Sequence, residues 1–224
     1  MTALTRRAAG GGVAAALIGG TAFAQASGDT KLVEATKLFP YLDLYLGIEP
    51  ARRSRFVMAY YIKRDGKPAA NFPATLITAD GKRRPLSIGA DGRVQHLPSL
   101  AELKSKAKVE LIAPKGSKIQ LNMELQANMR MAPMLRAADL AACIKQCEDA
   151  IRSKAGVLGF AAPKIKRVVM RGGGSGRAVS PDWTKPLPMQ MGHPAFDPEQ
   201  MPGASTIELA RAPGAILLSG RPKK

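Results

Sequence analysis

The chain has 224 residues, 46% of them hydrophobic and 23% charged, a balance that fits one or two globular domains and excludes a mostly disordered polymer. Thirty-four Lys and Arg against 17 Asp and Glu give +17, a field that attracts anionic partners. Twenty-two Gly and 17 Pro, with only 5% aromatic residues, demand many turns.

Residues 1–26 read as a signal peptide. Arg6 and Arg7 precede an uncharged stretch from Ala8 to Ala24, and Ala22-Phe23-Ala24 or Ala24-Gln25-Ala26 supplies a small-residue cleavage site. The apolar part, Val13 to Ile18, is too short to span a bilayer. Thr5-Arg6-Arg7 resembles a twin-arginine signal, although Ala8-Ala9-Gly10 lacks the apolar residues expected after the pair, so the general secretory and twin-arginine routes both stay open. Removal of the two presequence arginines leaves +15. No later segment approaches spanning length, which places the expected mature protein in the periplasm or on an envelope surface.

Beyond the presequence, Thr30 to Leu46 reads as helix-like and Phe56 to Ile62 as an apolar, aromatic strand ending at Asp65-Gly66. Ala74 to Thr78 ends at Asp80-Gly81, and a third pair stands at Asp91-Gly92; all three pairs predict tight turns. Lys108 to Ala113 and Lys118 to Leu125 alternate polar and apolar residues around a Pro114-Lys115-Gly116-Ser117 turn, as half-buried strands do. From Leu135 to Lys154 the period lengthens: Leu140, Cys143, Ile144, Cys147 and Ile151 form one stripe of a helix that Gly156 stops. Strand signals return at Ile165–Met170, Thr206–Leu209 and Ala215–Leu218.

Features recur at offsets of 97 to 101 residues. Val109-Glu110-Leu111 returns as Ile207-Glu208-Leu209, Arg84-Pro85-Leu86 as Lys185-Pro186-Leu187, and His96 as His193. The fold class expected is mainly β with some α: two tandem β-sandwich units, each preceded by a helix, at 27–133 and 134–224, read as a duplication rather than as chance matching of short tripeptides.

No nucleophile elbow, phosphate loop, zinc-protease or dinucleotide motif occurs, and Gly172-Gly173-Gly174-Ser175-Gly176 reads as a flexible loop. Only two histidines exist, His96 and His193, neither near a Ser in an activating context. Asp197 and Glu199 sit between prolines and read as a solvated loop. Cys143 and Cys147, one helical turn apart, read as small core residues for which a disulfide geometry is awkward.

Met189, Met191 and His193, with Met201 beyond, form the candidate metal site, since thioether and imidazole suit copper(I) and strand alternation puts the three on one side. Core filling is the competing account of these methionines and of Met123, Met129, Met131 and Met134. Basic clusters at Arg52-Arg53-Arg55, Lys82-Arg83-Arg84, Lys104-Lys106-Lys108, Lys164-Lys166-Arg167 and the tail Arg221-Pro222-Lys223-Lys224 lack interleaved aromatics, which argues against nucleic acid. The expected function is an exported, non-enzymatic binding or interaction protein of the bacterial cell envelope with no cofactor, its partner an anionic envelope component or another envelope protein, with peripheral membrane contact. The alternatives are a periplasmic copper-binding protein and a hydrolase with dispersed catalytic residues.

Overall fold

The computed structural model describes residues 29–154 and 164–220. The signal-peptide reading, the stop at Gly156 and the basic tail 221–224 lie outside them. Among the described residues the protein is mainly β, with 39% strand and 19% helix, as the alternating patterns and turn pairs require.

In the first half, strand β1 (Asp29–Glu34) runs into the short helices α1 (Ala35–Leu38) and α2 (Leu42–Leu46), then a 3-10 turn at Pro50–Arg53. Then come β2 (Phe56–Arg64), β3 (Lys67–Pro68), β4 (Ala74–Ile77), β5 (Arg83–Pro85), α3 (Leu100–Lys104), β6 (Lys108–Ala113) and β7 (Ile119–Ala127). The expected helix from Thr30 is corrected: Thr30–Glu34 pairs antiparallel with Lys108–Ile112 of β6 and is an edge strand. Its residues are exposed or half-buried, so no alternation marks it, and pairing with β6 decides its conformation. All three Asp-Gly pairs form turns, with Gly66, Gly81 and Gly92 at positive φ. At Gly92 a Cβ would stand 2.4 Å from the Ile62 carbonyl oxygen, so the site needs glycine for space as well as for its φ of +82°.

The second half opens with β8 (Met134–Arg136) and α4 (Ala137–Ser153), then β9 (Arg167–Arg171), β10 (Gly176–Val179), β11 (Thr184–Pro186), β12 (Met189–Gln190), β13 (His193–Phe196), β14 (Thr206–Leu209) and β15 (Ala215–Ser219). The stripe on α4 packs inward, with Leu140, Cys143, Ile144 and Cys147 buried. The Gly172–Gly176 segment is not simply a loop. Gly176 begins β10, where an added Cβ would lie 2.7 Å from Leu209 and 2.9 Å from Leu187.

Two four-stranded sheets share one plan. One has the order β1-β6-β4-β5 and the other β8-β14-β10-β11. Val109–Leu111 and Ile207–Leu209 occupy the same place in each, with Val109 across from Val33 and Leu76, and Ile207 across from Leu135 and Ala178. Entry to the following helix is also shared: the Ala35 amide donates to Ala107 O (2.8 Å), and the Ala137 amide to Ser205 O (3.0 Å). Arg84-Pro85 and Lys185-Pro186 form the outer strands β5 and β11, and the next amides, Leu86 and Leu187, donate to Ala74 O and Gly176 O. His96 does not match His193: His193 pairs with Gln190 in β13, whereas His96 lies on an irregular segment.

A third, seven-stranded sheet, β12-β13-β9-β15-β7-β2-β3, runs through both halves and crosses the expected boundary at 133/134 where Leu217 pairs with Gln126. On one face Phe56, Tyr60 and Ile62 of β2, with Val168, Met170 and Ile216, join Leu140, Cys143 and Cys147 of α4 in a core that includes residues of both halves. Ala59 and Tyr61 alternate to the opposite face, which carries the polar groups described next.

Candidate functional site

Strand register gathers polar side chains on that second face. Tyr61 of β2 lies across from Asn122, and two and four residues along β7 come Glu124 and Gln126. Gln126, 4% exposed, donates through Nε2 to the Tyr61 hydroxyl (2.8 Å) and to Glu124 Oε2 (2.7 Å). Arg171 of β9 donates to Glu124 Oε1 (2.6 Å), and its guanidinium lies 5.5 Å from the centre of the Tyr61 ring. Burial opposes the Arg171 charge; hydrogen bonds and the charge of Glu124 more than offset it, and its pKa is raised. The four groups satisfy one another. They hold residues 110 positions apart in fixed geometry across the junction of the halves.

Toward the β2–β3 end the same sheet becomes cationic. Lys63 and Arg64 end β2, Lys67 faces Arg64 across the turn, Arg93 pairs with Tyr61, and Lys115 and Lys118 lie on the turn into β7. The two acids interspersed here are engaged with backbone: Asp65 Oδ1 accepts from the Lys118 amide (2.9 Å) and Asp91 Oδ1 from the Arg93 amide (3.0 Å). No ion pair ties any of these six cations to an acid among the described residues.

Of the clusters visible as runs in the sequence, Lys82-Arg83-Arg84 is paired with acids throughout and Lys164-Lys166-Arg167 in part. Lys82 pairs with Asp80 (2.7 Å), Arg83 with Glu110 (2.6 Å), Arg84 with Glu102 (3.2 Å) and Lys166 with Glu199 (2.7 Å). Arg53 stacks over the Tyr45 ring. The cationic end of the sheet is assembled from three segments and is not a run, so sequence reading passed over it. Its signal was the placement of Lys and Arg at both ends of the Asp65-Gly66 turn and beside the Pro114–Ser117 turn.

Met189, Met191 and His193 fall on a hairpin closed by Met191 and Gly192, both at positive φ. Met189 pairs with Pro194 and Gln190 with His193, so Met189 and His193 face opposite sides of the hairpin. The single-sided alternation expected from sequence fails because the two-residue turn interrupts the strand. Met189 is 55% and Met191 90% exposed, neither filling a core, whereas Met201 is buried. The His193 ring accepts a hydrogen bond at Nδ1 from the Gly172 amide (3.4 Å). Among the described residues no three His, Cys, Asp or Glu side chains converge as a metal group.

Cys143 and Cys147 are free thiols in the core. Burial pushes the Cys147 thiol up to about 12 and raises that of Cys143 as well. Asp197, expected in a solvated loop, is 4% exposed; its Oδ1 accepts from the Glu199 amide (3.0 Å) and its carbonyl from the Gln200 and Met201 amides.

Comparison with protein-family models, curated proteins and solved structures yields no match to this chain.

Proposed function

We propose that this is an exported, non-enzymatic binding protein of the bacterial cell envelope, which engages anionic envelope polymers or lipid head groups through the cationic end of its central sheet. The observation that carries the reading is the group Lys63, Arg64, Lys67, Arg93, Lys115 and Lys118, close in the fold and unpaired with acids among the described residues. A paired cation contributes little outward field, whereas grouped unpaired ones draw and retain a polyanion. Residues 1–26, with Arg6, Arg7 and the alternative cleavage sites, support export to the periplasm; the intact mass of envelope-derived protein should correspond to a chain starting near Gln25 or Ser27.

The test is cosedimentation with phosphatidylglycerol vesicles. Association should fall steeply between 0.1 M and 1 M salt, as the screening length shrinks from about 10 Å to about 3 Å. It should also fall in the triple variant Lys63→Gln, Lys67→Gln, Lys118→Gln. Salt-insensitive binding sinks the reading.

A second reading, copper(I) held at Met189, Met191 and His193, is favoured by one observation: two thioethers stand in solvent on a hairpin tip where packing gives them no role.

A further inference from the structure

Where the two halves meet beside α4, a cavity of about 370 Å³ is lined by Arg55, Arg130, Met129, Met134, Leu135 and Cys143. We propose that it binds a small amphiphilic anion, a carboxylate or phosphate carrying a short apolar chain. The cavity lies at the small end of the size range of ligand pockets, about 300–1,000 Å³.

Its rim is cationic. Neither Arg55 nor Arg130 forms an ion pair with an acid among the described residues, and the one carboxylate lining the cavity, Asp139, is already held by Arg136 through two hydrogen bonds (2.8 and 3.0 Å). The floor is apolar, with Leu135 and Cys143 buried at 4% and 2% exposure. A guanidinium rim over an apolar floor matches an anionic head and an apolar tail together, and neither alone.

The backbone that carries Arg55 is held from both sides. Gln146 of α4 accepts from the Arg55 amide (2.7 Å) and donates to Ala51 O (3.0 Å) and Ser54 Oγ (3.2 Å). The Asn128 amide donates to Arg55 O (2.9 Å), and its side chain to Ser54 O (2.8 Å). These bonds fix where Arg55 starts and leave its guanidinium for a ligand, an arrangement that lowers the ordering cost of binding. Soft sulfur donors also line the cavity, but a cation there meets the repulsion of Arg55 and Arg130 and a thiol that burial keeps protonated.

The test uses the full chain and octanoate as the probe, by titration calorimetry with amide chemical shifts of 129–135 as the second readout. Octanoate should bind and shift those amides, while acetate, lacking the tail, and octanol, lacking the charge, should not. Arg55→Gln with Arg130→Gln should weaken octanoate by about tenfold or more, in keeping with the loss of charge-assisted hydrogen bonds. Both side chains are on exposed residues, and an unchanged melting temperature shows that the variant folds. If the variant also binds phosphatidylglycerol vesicles less, the natural anion is a lipid; if vesicle binding is unchanged, it is a free amphiphile. Both outcomes support the pocket. No octanoate binding, equal binding of acetate or octanol, or full octanoate binding by the double variant overturns it. Failure of the Lys63, Lys67 and Lys118 experiment refutes the cationic-end reading without touching this one.

Discussion

Gln126 of β7 lies directly across from Leu217 of β15, and this pair fastens the two halves of the chain into one sheet. The Gln126 side chain also supplies the donors that Tyr61 and Glu124 accept. Gln126→Leu should therefore cost about 1–3 kcal/mol, because Tyr61 and Glu124 each lose a donor on a largely buried face and keep only Arg171. In a double-mutant cycle with Tyr61→Phe, urea unfolding should give a coupling of about 1 kcal/mol. Additive losses would remove the network from the stability of the junction.

Gly66 and Gly92 both follow aspartate at positive φ, but only Gly92 is enclosed. Gly66→Ala should cost about 1 kcal/mol, the penalty of the left-handed conformation alone. Gly92→Ala should cost about 3 kcal/mol or more, since the methyl collides with the Ile62 carbonyl and the Ala69 amide. Urea midpoints compare the two directly.

The buried thiols make stability fall in alkali. Burial raises the Cys147 thiol from 9.0 to about 12, so between those values the unfolded chain has released a proton that the folded chain retains. The unfolding free energy should be flat up to about pH 8.5 and then fall by up to about 1.4 kcal/mol per pH unit for such a thiol. Cys147→Ala should flatten the slope. Ellman's reagent should label neither cysteine of the native protein at pH 8 at an appreciable rate, and both on unfolding.

Met189→Ala, Met191→Ala and His193→Ala together should change stability by about 1 kcal/mol or less, because the two methionines are exposed on a hairpin tip and His193 gives up one long hydrogen bond from the Gly172 amide. If the site holds copper(I), the wild-type chain binds roughly one ion and the triple variant none. Equal copper uptake by both chains removes the site.

Elements that carry their own pattern were legible in the sequence: β6, β14 and α4 alternate or repeat at helical spacing, and the Asp-Gly pairs mark turns. The edge strand β1 was not, because Asp29–Glu34 faces solvent along most of its length and acquires strand geometry from β6 alone. Nor were β10 and β11, short segments opened by Gly176 and closed by Pro186. The polar network escaped for another reason. Its members are single residues in separate strands, joined by a register no local pattern encodes. One signal was present: Gln120, Asn122, Glu124 and Gln126 occupy every second position of β7, a polar row too regular for a face packed only on apolar neighbours.

The recurring tripeptides Arg84-Pro85-Leu86 and Lys185-Pro186-Leu187 stand at matching outer margins of the two four-stranded sheets. Each margin combines a charged side chain with a proline that has no amide to offer an incoming strand. Intermolecular strand addition, the route by which β-rich chains polymerise when concentrated, is thus obstructed at both places by the same chemistry. Replacing Pro85 and Pro186 with valine would restore two donors and raise β propensity there, turning two guarded rims into templates for fibrillar growth.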